Sequence, residues 1–155
     1  MLRVAVVQFQ HAPGDKSYNL GVVEKFCRAA AREGVEIVSF PEMCVTGYWH
    51  VRKLDRSGIE ALAEPVPAGE STQALTELAK KHGMIVAAGL IEAGNHGSLY
   101  NSYVAALPDG GVEIHRKLHC FISEHMASGN EYTVFGTALG IRIGILTCWD
   151  NNLVE

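Results

Sequence analysis

The stretch Ile141-Arg142-Ile143-Gly144-Ile145-Leu146-Thr147-Cys148-Trp149-Asp150 runs from an apolar segment into a thiol and a polar turn. The apolar part is typical of a short buried strand, and the polar residues after it indicate where the strand ends. A cysteine at such a strand end is held rigidly and can face a cleft. Taken alone, Cys148 is more typical of an inert buried thiol. A nucleophile is the alternative interpretation.

Two other strand-like segments end in a reactive side chain. Phe40-Pro41-Glu42 ends in a carboxylate, and His115-Arg116-Lys117 ends in an ammonium group. Alone, Glu42 is typical of a helix cap or surface carboxylate, and Lys117 of a solvated lysine. Together with Cys148 they predict a nucleophilic enzyme. The carboxylate can accept the thiol proton, and the ammonium and the N–H of Trp149 can stabilise an oxyanion.

The hydrophobic periodicity predicts a mixed α+β fold. A helix that Ser17 caps ends at Gly34, a short helix has capping-box spacing at 57–60, and a further helix spans 71–82. Strands are predicted at 2–9, 35–40, 84–91, 99–107, 112–116, 132–135 and 141–147. The first half alternates strands with helices, which favours parallel pairing, and the hairpins of the second half favour antiparallel pairing. We therefore expect one mixed sheet with helices on one face and an apolar face that needs a cover.

The composition excludes several function classes. The 155 residues are 48% hydrophobic and 19% charged with a net charge of -4, which is typical of a globular domain without a nucleic-acid footprint. The longest apolar run, 84–91, is too short to span a bilayer. We see no leader segment and no CxxC pair among the four cysteines, so we expect a cytoplasmic protein with reduced thiols.

Five segments carry a family resemblance: 4–9 (VAVVQF), 40–48 (FPEM with TGY), 100–102 (YNS), 115–119 (HRKLH) and 146–150 (LTCWD). In these residues and in their order, the chain resembles the nitrilase, or carbon–nitrogen hydrolase, superfamily. The resemblance implies a four-layer αββα sandwich, with residues 1–155 as its hydrolase domain. It also implies a triad of Glu42 as general base, Lys117 as oxyanion stabiliser and Cys148 as nucleophile, acting through a thioester without a metal or organic cofactor. The family commonly forms oligomers, so we expect a homo-oligomer.

Substrate-binding residues are predicted around this triad. Many family members have a second glutamate shortly after the lysine, and Glu124 is the best match, with Glu131 as the alternative. Tyr48 and Trp149 are candidates for the pocket wall, although Tyr48, like Trp49, is equally compatible with core packing. The spacing of His115 and His119 would suit metal ligation on a helix, but the segment is predicted to be a strand end without a third ligand.

The resemblance leaves the substrate open between amides and nitriles. Amide and carbamoyl hydrolases more often have Asp after Cys-Trp, as at Asp150, whereas nitrilases often have Glu, so we favour a small-molecule amide or carbamoyl substrate. The family's catalytic domain is longer than this chain, which ends at Glu155. We therefore expect part of the second sheet and its helices to be missing, and a non-catalytic remnant that associates with partner subunits is the remaining alternative.

Overall fold

The computed structural model describes residues 1–152 as three α-helices and seven strands with short 3-10 turns between them. The helices are α1 (Lys16–Arg32), α2 (Arg56–Leu62) and α3 (Glu70–His82). The strands are β1 (Val4–Val6), β2 (Ile37–Ser39), β3 (Ile85–Ala93), β4 (Leu99–Ala106), β5 (Val112–Arg116), β6 (Thr133–Gly136) and β7 (Arg142–Ile145). The 3-10 helices are Trp49–Lys53, Asn95–Gly97 and Cys148–Asn152.

Strands β1 to β5 form one sheet in their chain order. The pairs β1–β2 and β2–β3 are parallel, and the pairs β3–β4 and β4–β5 are antiparallel. Helices α1 and α3 provide the crossovers that parallel neighbours require, whereas the antiparallel strands are joined by tight turns. The predicted mixed sheet, parallel in its first half and antiparallel in its second, is confirmed.

One face of the sheet packs on α1 and α3. Each helix has apolar residues three or four positions apart, which gives it one buried stripe. The core between the helices and the sheet consists mainly of Val23, Cys27, Ala30, Leu75, Leu78, Ala79, Val38, Val86, Ala88, Leu90, Val104 and Ala106. The prediction that both helices cover the same face is confirmed.

The antiparallel hairpin β6–β7 covers part of the opposite face. Phe135 and Ile145 of the hairpin pack on Ile85, Ala87 and Ala105 of the sheet. The described residues thus form three layers: the helices, the sheet and the hairpin. The hairpin covers the predicted apolar face over β3 and β4. Among residues 1–152, the cover does not extend over β1, where Val4 and Val6 are 52% and 72% exposed.

The structure corrects several local predictions. Asp15, rather than Ser17, caps α1 by accepting a hydrogen bond from Tyr18 N at 2.9 Å. Asp55, rather than Ser57, caps α2 in the same way through Gly58 N. Asp and Ser are comparable N-caps, but the positive end of the helix dipole additionally favours a carboxylate.

Most strands differ by a few residues from their predicted limits, because pairing with a neighbour decides where a strand begins and ends. Strand β1, for example, pairs with β2 only over Val4–Val6. The expected turn at 94–97 contains a 3-10 helix, Asn95–Gly97. Within residues 1–152, none of the helices has the length and hydropathy that a membrane span needs.

Candidate active site

Glu42 lies just after β2 and is held there by contacts to the next two strands. Tyr103 Oη donates to the carbonyl of Phe40 at 2.6 Å, and Phe40 N donates to Ala87 O at 2.8 Å. Gly89 on β3 allows the segment 42–43 to approach the sheet backbone, since a Cβ there would overlap Met43 N. The Glu42 side chain is only 15% exposed. The sheet therefore fixes the position of this carboxylate.

Lys117 follows β5 and is almost completely buried, at 1% exposure. Its backbone N–H donates to Asn101 O at 2.9 Å, and its carbonyl accepts from Gly129 N at 2.8 Å. Its Nζ donates to Glu42 Oε1 at 2.6 Å and lies 4.9 Å from the centre of the Phe121 ring. Burying an ammonium group is costly unless it is paired and hydrogen-bonded, and Glu42 provides that pairing.

Asn101 completes the shell around Glu42. Its side-chain amide donates to the same Oε1 at 2.6 Å, and Asn101 itself is buried in β4. Two donors on one oxygen fix the rotamer of the carboxylate.

Cys148 opens the last 3-10 helix beyond β7 and has an exposed side chain. Its φ of 49° is a left-handed conformation, which is unfavourable for a residue with a Cβ and occurs preferentially at functional sites. Although the residue is exposed overall, partial burial of the thiol raises the pKa of Cys148, as do the negative charge of Glu42 and a hydrogen bond with its carboxylate, whereas Lys117 opposes the shift. These effects favour the protonated thiol, and the Glu42 carboxylate is its hydrogen-bond partner.

Asp150 links two segments: the one that follows Lys117 and the one that leads into the turn at Cys148. Its buried carboxylate accepts from His119 N at 3.0 Å, Leu118 N at 3.3 Å, Thr147 N at 3.1 Å and His115 Nε2 at 3.2 Å. Burial alone would raise the pKa of Asp150, but the hydrogen bonds from His115 and these amides outweigh it and hold the pKa below its ordinary value.

The aromatic residues predicted near the substrate differ in how deeply they are buried. Tyr48 is buried beside the site, and burial followed by the Glu42 charge raises the pKa of its hydroxyl. Trp149 is half-exposed and packs edge-on against Phe121, with ring centres 5.9 Å apart. Trp49 is 65% exposed, so core packing is the wrong interpretation for it.

Neither candidate for the second glutamate has a buried carboxylate. Glu124 and Glu131 are both exposed on the segment between β5 and β6. Glu131 lies close enough to Arg116 for its charge to raise the pKa of that guanidinium, after the larger effect of Glu92. Glu124 and Glu131 both remain predictions for the second glutamate.

The metal alternative for His115 and His119 has no support in the geometry. The two ring nitrogens of His115 face Thr133 Oγ1 and Asp150 Oδ2, each at 3.2 Å. Among residues 1–152, no group of three or more metal-ligating side chains comes together.

Three residues of the site were not assigned these roles from the sequence: Asn101, His115 and Asp150. Asn101 is a buried amide inside an apolar strand, which signals a polar partner across the sheet. Asp150 stands in a polar turn, where a carboxylate is usually solvated. Its inward direction has little local signal, because three of its four donors, His115, Leu118 and His119, lie more than thirty residues away.

Comparison with known proteins finds one family. A family model described as carbon-nitrogen hydrolase matches residues 3–155. The omega-amidase NIT2 of Xenopus tropicalis is 32% identical over 99% of the chain, and a nitrilase of Pyrococcus abyssi is 29% identical over 97%. The chain spans 56% of the length of each of these relatives.

Solved structures agree with the fold. The nitrilase-superfamily protein Nit3 of Saccharomyces cerevisiae superposes on 98% of the chain with a TM-score of 0.83 and 25% identity. The chain covers 57% of the Nit3 chain.

Proposed function

Since the chain belongs to the carbon–nitrogen hydrolase family, we propose that it hydrolyses the carbon–nitrogen bond of a small-molecule amide, with Cys148 as nucleophile, Glu42 as general base and Lys117 as oxyanion stabiliser. The observation that carries this proposal is the buried contact of 2.6 Å between Lys117 Nζ and Glu42 Oε1 next to the Cys148 thiol. A thiol, a proton acceptor and a fixed positive charge are the groups that nucleophilic acyl transfer requires.

The proposed reaction has two halves. In the first, Glu42 takes the thiol proton as Cys148 Sγ bonds to the amide carbon, and the negative charge that forms on the carbonyl oxygen is stabilised by Lys117 Nζ and Trp149 N–H. The carbon–nitrogen bond then breaks, and Glu42 returns the proton to the departing nitrogen. This step releases ammonia or an amine and leaves a thioester on Cys148.

In the second half, water attacks the thioester. Glu42 accepts a proton from the water, and the same two donors stabilise the second oxyanion. The carbon–sulfur bond breaks, the thiolate regains the proton from Glu42, and the carboxylic acid leaves. The burial of Lys117 supports this role, because a positive charge acts more strongly in a site that excludes water.

Nitrile hydrolysis is the second candidate, and the match to a nitrilase of Pyrococcus abyssi favours it. The omega-amidase relatives, together with the Asp at position 150, favour the amide. A matched pair of substrates, an amide and the nitrile of the same acyl group, separates the two. We expect turnover of the amide, and turnover of the nitrile alone would contradict this preference.

The test of the mechanism is ammonia release by the purified chain and its Cys148→Ala variant. We expect the variant to lose the activity while keeping the circular dichroism spectrum of the parent. Cys120→Ala is the matched control, since Cys120 is a partly buried cysteine on the same loop as Phe121 and should be dispensable. Equal activity of Cys148→Ala and the parent would refute the assignment. Inactivity of all three chains would favour the non-catalytic remnant.

We also propose that the chain acts in the cytoplasm as a homo-oligomer. All four of its cysteines are free, which supports a reducing compartment. The exposed Val4 and Val6 support association, because apolar side chains on a sheet face are stabilised by burial. Light scattering after size exclusion tests the oligomer, and a monomer at all concentrations would contradict it.

A further inference from the structure

The carboxylate of Asp150 joins the two segments that carry Lys117 and Cys148. The side chain is completely buried. Its Oδ2 accepts from Thr147 N and Leu118 N, and its Oδ1 accepts from His119 N. Thr147 directly precedes Cys148, and Leu118 directly follows Lys117. One carboxylate therefore sets the distance between the backbone of the proposed nucleophile and that of the proposed oxyanion stabiliser.

The same residue stabilises the unusual backbone at Cys148. Asp150 N donates to Thr147 O at 3.1 Å, while Asp150 Oδ2 accepts from Thr147 N, so the turn around Cys148 is closed in both directions. A non-glycine residue with a φ of 49° costs free energy and persists only where its surroundings hold it. The two contacts between Asp150 and Thr147 provide that hold.

His115 fixes Asp150 from the other side. His115 is fully buried on β5, and its Nε2 faces Asp150 Oδ2 at 3.2 Å. Its Nδ1 faces Thr133 Oγ1 at 3.2 Å, and Thr133 begins β6 in register with Ile145 of β7. The imidazole thus connects the central sheet to the hairpin from which Cys148 projects.

We propose that Asp150, oriented by His115, is a positioning residue that holds the Cys148 thiol against Glu42. This inference rests on the proposed function and deepens it, because the role assigned to Asp150 is to keep the nucleophile beside its base. It predicts that Glu42 no longer affects the reactivity of the thiol when Asp150 cannot accept all its hydrogen bonds. Asp150→Asn is the sharpest variant, since it keeps the shape but places an NH₂ group opposite a backbone N–H.

The test is a double-mutant cycle read through alkylation of Cys148 by iodoacetamide, followed on the Cys148 peptide by mass spectrometry across a pH series. As a single substitution, Glu42→Gln removes a charge that raises the pKa of the thiol. We therefore expect faster alkylation near neutral pH, by about tenfold if the pKa falls by one unit. In the Asp150→Asn background we expect the same substitution to change the rate by less than about twofold.

The matched control is Glu64→Gln. Glu64 is also a buried carboxylate that accepts from a backbone amide, Ser71 N at 2.7 Å, and it pairs with Lys16 rather than with the site. Its substitution should lower stability without changing the pH profile of Cys148, and the full effect of Glu42→Gln should persist in that background. A purely structural Asp150 would behave in the same way as Glu64.

The outcomes are distinct. Additive effects of Glu42→Gln and Asp150→Asn on the alkylation rate would overturn the positioning role, whereas loss of the Glu42 effect supports it. If Asp150→Asn does not fold, His115→Phe carries the same test, since it keeps the three amide bonds to Asp150 and removes the imidazole. The cycle does not depend on turnover, so ammonia release by Cys148→Ala can refute the proposed function independently of it.

Discussion

Asn101 donates its side-chain amide to Oε1 of Glu42 at 2.6 Å, the oxygen that also receives the buried Lys117 ammonium. The amide comes from β4 and the ammonium from the residue that follows β5, and these two donors hold the carboxylate in one orientation. The orientation of the proposed base therefore depends on Asn101, a residue that need not touch the substrate.

Replacing Asn101 should weaken catalysis more than it weakens the fold. In Asn101→Ala, Oε1 of Glu42 loses one of its two nitrogen donors, and a hydrogen bond to a charged group contributes about 1.5–3 kcal/mol. We expect ammonia release to fall by about tenfold or more. Steady-state assays measure this, with the exposed Asn130→Ala as the control. A normal rate in folded Asn101→Ala would show that Lys117 alone orients the carboxylate.

The charges around Cys148 should shift its titration in opposite directions. Burial and the Glu42 carboxylate raise the pKa of the thiol, and Lys117 lowers it. Glu42→Gln should therefore move the pH midpoint of alkylation down, and Lys117→Met should move it up. The measurement is the iodoacetamide rate at Cys148 as a function of pH. Shifts of the same sign in both variants would contradict this account of the electrostatics.

Gly89 should be intolerant of a methyl group. A Cβ at this position on β3 would overlap Met43 N and lie 3.0 Å from Glu42 Cα, so Gly89→Ala must push the segment that carries the proposed base. Overpacking of this kind typically costs about 1–3 kcal/mol. We expect lower thermal stability together with loss of ammonia release.

The control for Gly89 is Gly136→Ala. A Cβ at Gly136 on β6 meets nothing within 4 Å, so this variant should keep both stability and activity. Thermal melting and activity are measured on both proteins. Full activity of Gly89→Ala would mean that the site tolerates a shift of Glu42.

Asp150 should contribute to stability in a pH-dependent way. Its pKa is held below the ordinary value, since hydrogen bonds from His115 and backbone amides outweigh the effect of burial. A carboxylate of this kind stabilises the fold above its unfolded pKa, and the contribution is lost as the pH falls through the folded pKa. The free energy of unfolding of the parent should therefore decrease on acidification below about pH 4.

Urea denaturation at several acidic pH values measures this dependence. Asp150→Asn should start lower at neutral pH and decrease less on acidification. The control Glu77→Gln, which removes a carboxylate that is 72% exposed, should follow the parent. An unchanged acid slope in Asp150→Asn would assign the acid sensitivity to other carboxylates.

The sequence predicted the parts of this molecule that local pattern determines. The apolar runs that precede Glu42, Lys117 and Cys148 contain β2, β5 and β7, and the side chains that follow these three strands lie close together. Helix caps were less predictable. At α1 and α2 a carboxylate and a hydroxyl stand two residues apart, and either can accept from the first turn.

Local sequence pattern could not predict the contacts between distant segments. The inward direction of Asp150 depends on amides of residues 118 and 119, and the direction of Asn101 depends on which face of β4 points away from the helices. Strand register decides such contacts, since a shift of one residue turns every side chain to the other face. The exposed position of Trp49 likewise depends on how the 3-10 helix Trp49–Lys53 lies on its neighbours.

The separation of 75 residues between Glu42 and Lys117 has a consequence for how the molecule forms. Closing so long a loop costs conformational entropy that a single ion pair cannot repay. The pair can therefore exist only after β2, β3, β4 and β5 have assembled in their native order. The pH dependence of Cys148, which senses both members of the pair, is thus a chemical reporter of complete folding, and a refolding chain should acquire it last.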